Sequence, residues 1–288
     1  MPNTDKIYAK KSLGQNFLKS KKALFAMIEA GEITSKDMVL EIGPGQGALT
    51  EKILETGAKV MAVEKDDRLI ELLNGKFKNQ IENGQFNLIH GDILEIDLAK
   101  IGLKNSDFKL IANIPYYITG LIFRKFLEGN IQPSKLVIMV QKEIADRIIA
   151  RDLKESLLSL SVKAYGAPKK IMKVEKENFS PAPKVDSAIL LVNNISKDFF
   201  LEISHAKSAD LVASEKKFFE VIKTGFAHKR KILIANLKEK FGQNDLKKIF
   251  EDLKISEKVR AEDLKLENWK ELIKIIYENY TKATNGNE

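Results

Sequence analysis

The stretch "LIANIPYYIT" (residues 110–119) sets Asn113, Ile114, Pro115 and Tyr116 directly after an apolar run fit for a buried strand. An amide oxygen and a main-chain carbonyl, aimed by a stiff Pro turn, can together accept both hydrogens of an exocyclic amine. Such a pair favours the pyramidal nitrogen that a ring-delocalised amine needs in order to attack. Tyr116 can stack on the base that carries the amine, a contact worth ~1–3 kcal/mol. No general base is required ahead of attack, because the nitrogen sheds its proton once alkylated, and positioning supplies most of the catalysis. Phe179 in "ENFSPAPKVDSA", beside two prolines that hold its loop rigid, is the candidate for a second aromatic in a base sandwich. The same residue types also suit a helix cap at Asn113 and plain packing at Tyr116, Tyr117 and Phe179.

A second group of residues suits a nucleoside cofactor. In "EIGPGQGALT" the residues Gly43, Gly45 and Gly47 permit a sharp turn and close backbone approach to a ligand before a helix begins. Glu64 lies 21 residues beyond Gly43, the spacing at which an acidic residue reaches the two ribose hydroxyls. Asp92 in "HGD" closes a third run and is placed to accept from an adenine amino group. The glycines read G-x-G-x-G rather than the dinucleotide pattern, and a carboxylate at Glu41 would sit poorly beside a pyrophosphate. That electrostatics suits a cationic cofactor, S-adenosylmethionine (SAM), better than NAD.

These residues need elements to carry them. Short β-branched runs, "MVLEIG", "KVMAVE", "FNLIHGD", "KLIANIP" and "KLVIMVQ", alternate with amphipathic helical patterns from residue 37. This alternation predicts an α/β fold, a doubly wound parallel sheet, with the glycine loop, Glu64, Asp92 and the Asn113–Tyr116 turn at its carboxyl edge. "PKKIMKVEKENF" and "KVDSAILLVN", separated by "SPAP", predict an antiparallel hairpin at the sheet edge. Beyond about residue 195 strands cease, and 215–227, 230–241, 245–254 and 267–280 carry apolar residues at helical spacing. The expected organisation is therefore a catalytic domain over 1–195, opening with a basic segment at 1–22, and a small all-helical domain over 196–288, ending in a frayed tail, "TNGNE".

Composition narrows the chemistry. With no cysteine, disulfides, thiolate nucleophiles and Cys-ligated zinc are excluded, and three scattered His make a poor metal site, so no metal is expected. No apolar run approaches a membrane span and the N-terminus lacks a signal-peptide core, which points to a soluble, cytoplasmic protein without a membrane partner. The formal net charge is +8, and it is unevenly spread. Residues 1–22 hold six Lys against one Asp, and "KTGFAHKRK" (223–231) holds four cations and no acid. Two basic patches suit the phosphates of a nucleic acid, although a Lys-rich chain also has Lys faces that only meet water.

On these residues the chain resembles the small-subunit rRNA adenine N6-dimethyltransferases along nearly its whole length. "KKSLGQNFL" is similar to the family's N-terminal motif, and the resemblance implies that Asn16 and Leu18 line the methionine end of the cofactor. "EIGPGQGALT", Glu64, "GDIL" and "NIPYYI" resemble its cofactor and catalytic motifs and imply SAM contacts at Gly43, Glu64, Asp92 and Asn113. "VQKEIADRI", "FSPAPKVDSAI", "GFAHKRKILIANL" and "RAEDL" resemble later segments, the last two belonging to a basic, RNA-binding helical domain. Between "VQKEIADRIIA" and "LSLSV" this chain lacks a Tyr-Gly that the family carries. The resemblance implies a class I SAM-dependent methyltransferase fold and dimethylation of two adjacent adenosines near the 3′ end of 16S rRNA, in an immature ribosomal subunit, by a monomer. Still open are a large-subunit rRNA adenine methyltransferase, which would share "NIPY", and a ribosome-assembly or RNA-binding factor without catalysis.

Overall fold

The computed structural model of the chain describes residues 8–203, 211–242 and 244–285. The start of the basic segment (1–7) and the end of the expected frayed tail (286–288) lie outside the described residues. The strands are β1 (Phe17–Leu18), β2 (Met38–Ile42), β3 (Lys59–Glu64), β4 (Phe86–His90), β5 (Lys109–Ala112), β6 (Lys135–Gln141), β7 (Ala167–Val174), β8 (Phe179–Ser180) and β9 (Ser187–Asn193). Seven of them form one sheet in the order β4-β3-β2-β5-β6-β9-β7. The pairs β3–β4, β2–β3, β2–β5 and β5–β6 are parallel, while β9 runs antiparallel to both β6 and β7, which is the expected edge hairpin.

The β-branched runs read as continuous apolar stretches because both faces of the sheet are covered. Leu136 to Val140 are all fully buried, as are Val39 and Leu40. Helices α1 (Lys21–Gly31), α2 (Ala48–Leu54) and α3 (Asp67–Lys76) supply one cover. Leu24 and Met27 of α1, Ile53 of α2 and Leu73 of α3 pack in one cluster with Val39, Val60, Ile111 and Val137. Each such side chain contributes about 1.5–3 kcal/mol on burial. Strand order reverses between β2 and β5, so the loops after these two strands flank the crevice where doubly wound sheets bind ligands.

The chain divides into two compact units, residues 1–145 with 167–195 and residues 146–166 with 196–288. Residues 146–166, counted with the first domain on sequence grounds, thus lie with the C-terminal helices. Long-range contacts explain this: Tyr165 packs 4.8 Å from Phe200, the Ser196 amide donates to the Tyr165 carbonyl, and the Glu155 amide donates to the Glu262 carbonyl. Ahead of the helix Leu157–Lys163 the chain turns with Ala150 (φ 52°) and Leu153 (φ 64°) left-handed. The main helices of this unit are Leu157–Lys163, Leu211–Gly225, Leu233–Phe241, Asn244–Asp252 and Leu266–Asn285, around buried Phe200, Phe218, Leu237, Phe250 and Trp269. No strand follows Asn193 among the described residues.

Candidate active site

The loop after β2 wraps back on the end of β3. Gly45 N donates to Glu64 Oε2 at 3.1 Å, while the amides of Lys65 and Asp66 donate to Oε1 at 2.9 Å each. Burial raises the Glu64 pKa, against the pull of these three amides, and the carboxyl is fixed in orientation. A Cβ added at Gly43 would meet nothing within 4 Å, so the backbone there faces open space that a ligand can approach. After β4, Asp92 accepts from the Leu94 amide (2.9 Å) and from Lys65 Nζ (2.7 Å). Burial works to raise its pKa, but Lys65 and that amide outweigh it and hold the carboxyl below the usual range.

After β5, Asn113 Nδ2 donates to the main-chain carbonyl of Asn16 at 3.1 Å. With its donor engaged, the amide keeps Oδ1 as an acceptor. Pro115 (φ −58°, ψ 134°) leads into a 3₁₀ turn over Tyr116–Ile118. The Tyr116 hydroxyl shares a 2.5 Å hydrogen bond with Ser187 Oγ, and burial raises its pKa. The N-terminal segment is tied down at several points. Gln15 Nε2 donates to Asp66 Oδ2 (2.8 Å), Asn16 Nδ2 donates to the Gly14 carbonyl (3.1 Å), and β1 pairs with β8, Leu18 opposite Phe179.

Asn16, Leu18, Gly43, Glu64, Asp92, Asn113, Ile114, Pro115 and Tyr116 all line one cavity of ≈ 940 Å³. Phe179 is the exception. Its side chain is only 2% exposed and belongs to the hydrophobic core beside Leu18, so this loop gives the cavity Ser180 and Pro181 instead. An aromatic opposite an apolar residue of β1 gains more from burial than from the cavity rim. Among the described residues no three His, Asp or Glu side chains gather as a metal site.

Residues 7–278 match the family described as "Ribosomal RNA adenine dimethylase". The chain belongs to this family. The dimethylase is 39% identical over 266 residues to the ribosomal RNA small subunit methyltransferase A of Dehalococcoides mccartyi, covering 92% of this chain and 87% of that one. With the protein of the same name from Fusobacterium nucleatum it shares 38% over 270 residues, covering 93% and 97%. Among solved structures, a dimethyladenosine transferase from Plasmodium falciparum aligns with TM-score 0.71 at 25% identity over 93% of this chain and 98% of that one. The 23S rRNA methyltransferase ErmE shares the fold with TM-score 0.72 at 22% identity, over 91% and 100%. The dimethylase is thus an enzyme that uses SAM to methylate rRNA adenine.

In the dimethylase, burial disfavours the charged form of Glu41. Glu41 is 1% exposed and accepts from Thr50 Oγ1 at 2.7 Å; burial first, with Glu64 adding repulsion, pushes its pKa up to about 8. Three contributors went unread in the sequence. Phe17 packs on Gly45, Gln15 clamps the N-terminal segment to Asp66, and Lys65 holds Asp92. Phe17 and Gln15 sit inside "GQNFL", so adjacency to Asn16 was the available signal; Lys65 follows Glu64 directly.

Proposed function

We propose that this dimethylase converts two adjacent adenosines near the 3′ end of small-subunit rRNA to N6,N6-dimethyladenosine, within an immature ribosomal subunit, as a cytoplasmic monomer. The names of its curated relatives support the small subunit over the large one. The observation that carries the chemistry is the Asn113 amide, tied by Nδ2 to the Asn16 carbonyl on the wall that also holds Glu64 and Asp92.

When bound, SAM supplies an electrophilic methyl group on a sulfonium. Glu64, oriented by three main-chain amides, is the acceptor for the ribose hydroxyls, and Gly43 leaves room for the nucleoside. Asp92 is the acceptor for the cofactor's amino group, and Asn16 and Leu18 close the methionine end. Toward the target, Asn113 Oδ1 and the Ile114 carbonyl accept the two N6 hydrogens, and Tyr116, braced by Ser187, stacks on the base. The nitrogen forms its new bond to the methyl carbon as the carbon–sulfur bond breaks and its electron pair stays on sulfur, then loses a proton to solvent, and the turn repeats the act on the monomethylated amine. The target base must leave its stack to enter. The exposed loop His228–Lys231 of the helical unit meets RNA phosphates.

Methyl transfer from labelled SAM to small subunits isolated without the modification tests this reading. Wild type yields N6,N6-dimethyladenosine, and Asn113→Ala lowers the rate by about 100-fold or more, as loss of one oriented hydrogen-bonding group at a reacting centre does. Unmodified RNA after incubation with wild type, with SAM bound, overturns it.

A further inference from the structure

Burial of Phe179 leaves the cavity mouth with another set of apolar groups. Tyr8, Tyr117 and Leu121 are exposed large hydrophobic residues, and all three line this cavity. Tyr117 is 66% exposed and Leu121 48%. Tyr117 is nevertheless fixed on one side. A Cβ added at Gly14 would fall 3.1 and 3.3 Å from two carbons of its ring, so the ring rests on the bare backbone of the N-terminal segment. Tyr116 and Tyr117 are successive residues of a 3₁₀ turn, roughly 120° apart around its axis, and Tyr116 is held by Ser187. The two rings therefore serve different positions.

We infer that Tyr117, flanked by Leu121, is the stacking platform for the nucleotide next to the target adenosine. The inference rests on the reading of two adjacent targets given above. When the second adenosine occupies the cavity, its neighbour is already N6,N6-dimethyladenosine and has lost both amino hydrogens. A neighbour position that read the Watson–Crick edge would reject that product. A ring face accepts either state, because stacking reads only the π-surface. An apolar rim matches that need: the ring takes the base.

The test uses the full chain and small subunits lacking the modification, comparing wild type, Tyr117→Ala and Tyr117→Phe. Tyr117→Ala raises KM for the subunit about 5- to 100-fold, with kcat and the SAM dissociation constant within about two-fold of wild type, the pattern of lost uniform binding. Tyr117→Phe keeps the ring and restores the wild-type KM. An unchanged KM in Tyr117→Ala overturns the platform, as does equal impairment of the Phe variant or a parallel loss of SAM affinity. Inactive wild-type protein sinks the underlying reading instead, whereas active wild type with an indifferent Tyr117→Ala sinks the platform alone.

Discussion

Glu41 shows how far a residue's chemistry depends on what covers it. Its carboxyl ordinarily titrates near 4.5, and burial moves that to about 8 in the folded chain. Between those values the folded state holds a proton that the unfolded state has released, so the group's stabilisation is complete below about pH 4.5 and is lost as pH rises toward 8. The slope is at most about 1.4 kcal/mol per pH unit. Glu41→Gln keeps an acceptor for Thr50 and removes the titration, so urea midpoints between pH 5 and 8 fall less in the variant than in wild type. Sequence spacing accounts for seven of the nine candidate residues that line one cavity, because each lies beside or at the end of a strand, while Asn16 and Leu18 were implied by the family resemblance alone. It did not reveal that burial raises the Glu41 pKa or that Phe179 is buried. The first comes from burial, which outweighs the hydrogen bond from Thr50, and the second from a partner distant in the chain, Leu18 opposite Phe179.

At the scale of elements, hydrophobic period settled which segments are strands and which are helices, while their ends followed local chemistry. The helix expected over 230–241 starts at Leu233, after the loop of cations, and the one expected over 215–227 runs Leu211–Gly225. Residues 146–166 were unreadable as part of the helical unit, because nothing in their composition announces that Tyr165 packs against Phe200. The element that aims the site most directly is the start of α2. Gly47 adopts φ 78° there, and a Cβ would fall 2.6 Å from a carbon of the Phe77 ring. Gly47→Ala therefore strains the backbone and crowds the core at once. It is expected to lower unfolding stability by about 1–3 kcal/mol in denaturant titrations and to weaken SAM binding through the displaced loop.

For the whole molecule, the charge asymmetry legible in composition acquires addresses. His228 to Lys231 are exposed, and beneath them Asn236 Nδ2 donates to the Gly225 and His228 carbonyls at 2.6 and 3.2 Å, holding the loop from the helix Leu233–Phe241. If Lys229 and Arg230 each neutralise one phosphate, replacing both with Ala weakens binding to small subunits and flattens the plot of log affinity against log salt by about 2. A slope that does not move assigns the binding charge elsewhere. The tie between Asn113 and the N-terminal segment carries a different kind of consequence. The group that answers Asn113 is the peptide oxygen of residue 16, which every amino acid possesses. A saturation mutagenesis map would thus mark position 113 for this bond, whereas position 16 would register only the work of its own side chain, so that half of the bond stays genetically silent until the segment is cut away or its path is rerouted.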